Sequence, residues 1–170
     1  MNELGPLLAQ WGLPSSQPFV AVHPWTSNPV KQWPAERFQA LIDRIATELE
    51  TPVVVVGQHH GQASMKNGAR HPRVVDLVGP LSLPQLAALL QQARLLVSSD
   101  SGPVHMAAAV GTRTVVLFGE RHPGTGPRRW GPWGVGHQVL AAPTLEAISV
   151  EEAFTAVQQA LRTPATHAAS

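Results

Sequence analysis

Cysteine is absent from the 170 residues, which removes disulfides, thiolate metal sites and cysteine nucleophiles together and is compatible with a reducing compartment. Lysine is nearly absent too, with Lys31 and Lys66 as the two in the chain. Charged residues make up 14% of the sequence and almost cancel, 12 basic against 11 acidic for a net charge of +1. No general attraction to nucleic acid or to an anionic lipid surface is therefore expected, and any basic function must be local. No apolar run approaches the roughly 20 residues needed to cross a bilayer. The opening Met-Asn-Glu is not the charged-then-apolar pattern of a secretory signal, so a soluble protein is expected. No Gly-x-Gly-x-x-Gly follows a strand and no Walker lysine motif occurs, which leaves dinucleotide redox chemistry and P-loop hydrolysis without support.

What is present is enough apolar material, 44% of residues, to bury the core of one domain. Phe19 to His23 read as a strand, and Pro34 to Glu50 carry Phe38, Leu41, Ile42, Ile45 and Leu49 on one helical face. Val53 to Val56, closed by Gly57, and Val74 to Val78 are two further strands. Ser82 with Gln85 is a capping box opening a helix that carries Leu86, Leu89 and Leu90. Leu95 to Val97 form another buried strand, Pro103 to Ala109 a short helix closed by Gly111, and Thr114 to Phe118 a strand ending at Gly119. A loop rich in Gly, Pro, Arg and Trp runs to about Gly136, Val139-Leu140 is a last short strand, and Ser149 with Glu152 caps a helix bearing Val150, Phe154, Val157 and Leu161. Strands alternating with helices, several continuously apolar, predict an α/β fold with a Rossmann-like parallel sheet and helices on both faces. The expected division is 1–18 as an N-terminal helix or linker, 19–162 as the Rossmann-like domain and 163–170 as a flexible tail.

Asp100-Ser101-Gly102 with His105 stands where a buried strand turns into a helix. Backbone N–H groups and the positive end of the helix dipole there suit a phosphate, with the Ser101 hydroxyl as donor and His105 one turn further on. The same residues also suit an ordinary helix cap with a buried polar histidine. A serine-hydrolase triad is disfavoured, because three groups within six residues cannot line up as nucleophile, base and orienter. The loop His23 to Pro34 leaves the first strand on the same sheet edge, so both loops should face one cleft. Thr26, Ser27 and Lys31 would supply hydroxyl and ammonium donors to a diphosphate, and Trp33 reads as packing against the following helix. Arg128 and Arg129, in the long loop, suit bidentate phosphate pairing or plain solvent exposure. His59-His60 lack a third ligand at suitable spacing, so no metal is expected, and that loop suits contact with a nucleoside.

Lys31-x-Trp33-Pro34, Val53 to Gly57, Asp100-Ser101-Gly102-Pro103-x-His105-x-Ala-Ala-Ala and Leu117-Phe118-Gly119 together resemble glycosyltransferase family 9, which contains the ADP-heptose:lipopolysaccharide heptosyltransferases. The resemblance runs from about Val20 to Leu140. It implies the C-terminal, nucleotide-sugar-binding half of a two-domain GT-B enzyme. By the resemblance, Ser101, Gly102 and His105 would hold the donor diphosphate, with Lys31, Thr26 and Ser27 beside the phosphates. From the residues themselves, Asp100, Arg128 and Arg129 are also expected to be donor-binding and Lys31 to stabilise the leaving group. The partner implied is a nucleotide sugar, ADP-heptose in the first place, and neither a cofactor nor a metal is implied.

Two positions depart from the family pattern. The loop after the second strand reads Gln58-His59-His60-Gly61-Gln62, where the family often carries a glutamate that holds the donor ribose. The family's general base, a carboxylate of the N-terminal acceptor domain, has no counterpart in the chain. Transfer by inversion is thus expected to need that domain, in cis or in trans. The expected location is the cytoplasm or the inner face of the membrane, with membrane contact only through a lipid-linked acceptor. Alternatives are a stand-alone nucleotide-binding or regulatory module and a fragment of a GT-B-type sugar-nucleotide epimerase.

Overall fold

The computed structural model describes residues 4–13, 16–58, 71–79, 81–121, 126–134 and 136–164. Along the chain run α1 (Leu4–Gln10), β1 (Val20–His23), α2 (Ala35–Glu48), β2 (Val53–Gly57), β3 (Val74–Val78), α3 (Leu83–Gln92) and β4 (Leu95–Ser99). They are followed by α4 (Gly102–Ala109), β5 (Thr114–Gly119), α5 (Pro127–Trp130), β6 (Gln138–Ala142) and α6 (Val150–Arg162). The six strands form one sheet in the order β3-β2-β1-β4-β5-β6, and every neighbouring pair is parallel. This is the Rossmann-like fold that the alternation of elements predicts.

Strand side chains point alternately to opposite faces, and the apolar runs divide accordingly. Val20, Val22, Val53, Val55, Leu95, Val97, Val115 and Leu117 enter one core together with α2 and α6. Ala21, Val54, Val56, Leu96, Val116 and Phe118 enter a second core on the other face, with residues of α3 and α4 and with Leu8 of α1. A strand interior apolar on both faces is what a doubly covered parallel sheet requires. Each large side chain removed from water in these layers contributes about 1.5–3 kcal/mol of transfer free energy.

Local signals set the element ends. Both capping boxes form: the Ser82 hydroxyl accepts from Gln85 N at 3.3 Å, and that of Ser149 accepts from Glu152 N at 3.1 Å, each reciprocated by the N3 side chain. Gly111 takes φ +84°, the left-handed conformation that closes α4. Helix α2 stops at Glu48, two residues before the expected end, because Glu50 turns to φ 49°. On the other edge, β6 extends beyond Val139-Leu140 to Gln138–Ala142 by pairing with β5. Of the expected tail, Thr163 and Pro164 are described, and His59-His60 lie outside the described residues.

Candidate functional site

The strand order reverses between β1 and β4, and in open α/β sheets ligands bind outside the carboxyl ends of the strands at such a switch point. His23 ends β1 directly opposite Ser98 of β4 in the register. Ser101 occupies the N-cap of α4, yet its hydroxyl makes no capping bond. It lies instead 2.9 Å from Ser98 Oγ and 3.4 Å from His23 Nδ1, while Ser98 Oγ stands 3.4 Å from that same nitrogen. Burial pushes the His23 imidazole down to about 4, so it is neutral at pH 7. A Cβ built on Gly102 would meet nothing within 4 Å, which leaves open space beside the first turn of α4.

The β1–α2 loop is held by one side chain. Gln32 Oε1 accepts from Thr26 N at 3.1 Å, and its amide donates to the Pro24 carbonyl and to the Trp33 carbonyl at 3.1 Å. Thr26 Oγ1 accepts from Asn28 N at 3.3 Å, Asn28 Oδ1 accepts from Val30 N at 3.1 Å, and a single 3-10 turn over Pro29–Lys31 follows. That turn delivers Lys31 Nζ to Asp100 Oδ2 at 2.6 Å, the Asp100 side chain being 8% exposed. Asp100 therefore acts on Lys31, fixing an ammonium beside the start of α4.

Between α3, the strand ends and the start of α4 lies a cleft of about 530 Å³. One part of its wall is polar, from Thr26, Ser27, Ser101 and Gly102, and another is apolar, from Trp25, Val56, Leu81 and Leu86. The cleft gathers four of the expected site residues. Lys31 and Asp100 pair outside its lining. His105 is exposed on α4 and Arg128 is exposed on α5, and neither lines the cleft. The backbone of Arg129 belongs to α5, and its side chain lies outside the described residues. Among the described residues no group of three or more His, Cys, Asp or Glu is placed to hold a metal ion.

His23, Trp25, Gly57 and the α3-side leucines line the cleft as well, and motif reading did not single them out as site residues. Gly57 carries a close approach: a Cβ there would stand 2.5 Å from the Trp25 ring. Alanine at 57 is expected to push the indole into the cleft and to weaken ligand binding about tenfold, a shift of about 1.4 kcal/mol. Trp25→Leu in the same background should recover most of the loss by removing the clash, which titration calorimetry would read directly.

A family model described as glycosyltransferase family 9 (heptosyltransferase) matches residues 6–157. The chain belongs to that family. It is 32% identical over 121 residues to lipopolysaccharide heptosyltransferase 3 of Escherichia coli, an alignment covering 69% of this chain and 34% of that protein. The solved family 9 glycosyl transferase of Veillonella parvula superposes with a TM-score of 0.80 at 22% identity, covering 94% of this chain and 50% of that one. E. coli heptosyltransferase WaaC with ADP gives 0.75 at 21% identity, over 86% of this chain and 45% of that one. The chain thus spans about a third of that curated heptosyltransferase and half or less of these two solved structures. No helix among the described residues is long and apolar enough to cross a membrane.

Proposed function

We propose that the chain is the donor-binding half of an inverting glycosyltransferase of lipopolysaccharide core biosynthesis type, with ADP-heptose as its nucleotide sugar. The observation that carries this reading is the cleft at the β1/β4 reversal, where hydroxyls and the start of α4 converge beside an apolar wall. The diphosphate fits the polar part, against Thr26, Ser27, Ser101 and the Gly102 amide, because helix N-termini favour anions. The nucleobase fits against Trp25, Leu81 and Leu86. Lys31, oriented by Asp100, opposes the charge that develops on the departing diphosphate. Arg128 or Arg129 of α5 is a further candidate for the same charge.

No carboxylate lines the cleft among the described residues. A general base for the acceptor hydroxyl is therefore assigned to a second domain, supplied in cis or in trans, in keeping with the share of the related structures that this chain covers. The chain would work in the cytoplasm and approach the inner membrane only through a lipid-linked acceptor.

Titration calorimetry tests this. ADP should bind, and AMP more weakly for want of the second phosphate. Lys31→Met should weaken ADP binding about tenfold or more, as expected for a lost charge-assisted hydrogen bond, while AMP binding changes less. It should also lower stability by about 2 kcal/mol, because the largely buried Asp100 carboxylate loses its partner. Absence of ADP binding at millimolar nucleotide would sink the reading. Transfer restored by adding an N-terminal acceptor domain would support it directly.

A further inference from the structure

The donor-site scheme leaves the Nε2 side of His23, a cleft-lining residue, without a role. Counting protons assigns the tautomer of that ring. Ser98 Oγ donates its single proton to the Ser99 carbonyl at 2.8 Å. The 2.9 Å bond between Ser98 Oγ and Ser101 Oγ must then take its proton from Ser101. With both hydroxyl protons committed, each serine has only a lone pair to offer His23 Nδ1, 3.4 Å away from either. Nδ1 is therefore the protonated nitrogen, and Nε2 carries the ring's free lone pair. Nε2 has no hydrogen-bond partner among the described residues.

A lone pair at that place selects its neighbour. It repels a phosphate oxygen and attracts a hydroxyl proton. The position agrees with this, because β1 lies between β2 and β4 in the sheet. His23 thus stands between Gly57, which borders the apolar wall, and Ser101 at the polar one. A nucleotide sugar spanning the two walls sets hydroxyl-bearing sugar over the middle. With no carboxylate in the lining among the described residues, sugar hydroxyls find no charged acceptor there.

We propose that His23 Nε2 accepts a hydrogen bond from a sugar hydroxyl of the bound nucleotide sugar and so fixes the orientation of the donor in the cleft. This rests on the donor-site reading given above. The depressed proton affinity of the buried ring keeps the lone pair available throughout the neutral range.

The experiment is titration calorimetry on the full chain with ADP, 2′-deoxy-ADP, 3′-deoxy-ADP and ADP-heptose. Two variants separate the ring's two edges. His23→Asn places an amide N–H near the position of Nδ1, keeping the donor toward the serines while deleting the Nε2 acceptor. His23→Gln carries a carbonyl oxygen to about the position of Nε2 and should recover part of the affinity. The wild type is expected to bind one deoxy analogue about five- to tenfold more weakly than ADP. His23→Asn should show that same loss with ADP and none beyond it with the analogue. Coupling that appears only with ADP-heptose would overturn the placement, because the transferred sugar lies beyond the diphosphate and not between the two walls.

Unchanged affinities in His23→Asn, or an equal loss for all four ligands, would overturn the proposal. So would uptake of a proton on ADP binding that His23→Asn abolishes, read from buffers of different ionisation enthalpy, since it would place an imidazolium at residue 23 against phosphate. Failure of the wild type to bind any of the four ligands defeats the donor-site reading itself, and the inference with it.

Discussion

Alanine in place of Trp33 is expected to lower the unfolding free energy by about 4 kcal/mol, within the range found for large aromatic residues deleted from cores. The indole is fully buried and meets Phe38 edge to face, with ring centroids 4.8 Å apart at 89°. Its Nε1 donates to the Ile148 carbonyl at 3.0 Å. The carbonyl is not orphaned when the indole goes, because Arg37 Nη1 also donates to it at 2.6 Å. The loss is therefore chiefly a cavity term, and Trp33→Phe, which keeps a ring against Phe38, should cost about half as much. Trp33 also adjoins Gln32, whose amide donates to the Trp33 carbonyl and whose oxygen holds Thr26 N. Release of that loop should scatter Thr26, Ser27 and Lys31 and reduce ADP affinity along with stability. Urea titration and calorimetry on the same two variants check both halves. A stable Trp33→Ala protein that binds ADP normally would contradict the account.

The parts of the fold legible in the sequence are those governed by short-range rules. The β-branched run from Val53 to Val56 needs no partner to be recognised as a strand buried on both faces, and the Ser82 and Ser149 boxes are complete within four residues. The site was half legible. Thr26, Ser27, Ser101 and Gly102 line one cleft, because loops at the carboxyl ends of parallel strands must share an edge. What pairing does across the sheet was not legible. Lys31 and Asp100 are 69 residues apart, so the lysine's partner emerges only once β1 and β4 are neighbours. His23 becomes a cleft residue through its register with Ser98, and no local pattern marks it. Gly57 reads as a strand terminator in sequence, yet its missing side chain is also filled by the indole of Trp25, a contact fixed by the β1/β2 pairing. Ser101 shows the opposite difficulty. A serine at an N-cap suggests a capping bond, but the hydroxyl turns to Ser98 and His23.

Stability should fall by about 3 kcal/mol between pH 6.5 and pH 4 on account of His23 alone. Unfolded, the imidazole titrates near its ordinary value of 6.5, whereas burial holds it at about 4 in the fold. Between those values the unfolded chain carries a proton that the native state does not, so protons favour unfolding. The stabilisation is fully present above 6.5 and is lost as pH drops toward 4, at about 1.4 kcal/mol per pH unit. His137 acts in the same direction: burial lowers it, and its Nδ1 accepts from Thr114 N at 3.1 Å, a bond that protonation of Nδ1 would break. The carboxylates Glu48 and Glu152 sit below their usual 4.5 in the fold, so their contributions disappear at lower pH than the histidine window. Urea titrations from pH 7.5 to 4.5 on the wild type, His23→Asn and His137→Asn separate the terms. The slope above pH 5 should flatten most in His23→Asn, which retains the amide toward Ser98 and Ser101 but cannot take up the proton. A wild-type slope unchanged by that substitution would mean that His23 is protonated in the fold as readily as in the unfolded chain. Nε2 would then be an N–H donor at mildly acidic pH, and the ring would suit a phosphate better than a sugar hydroxyl.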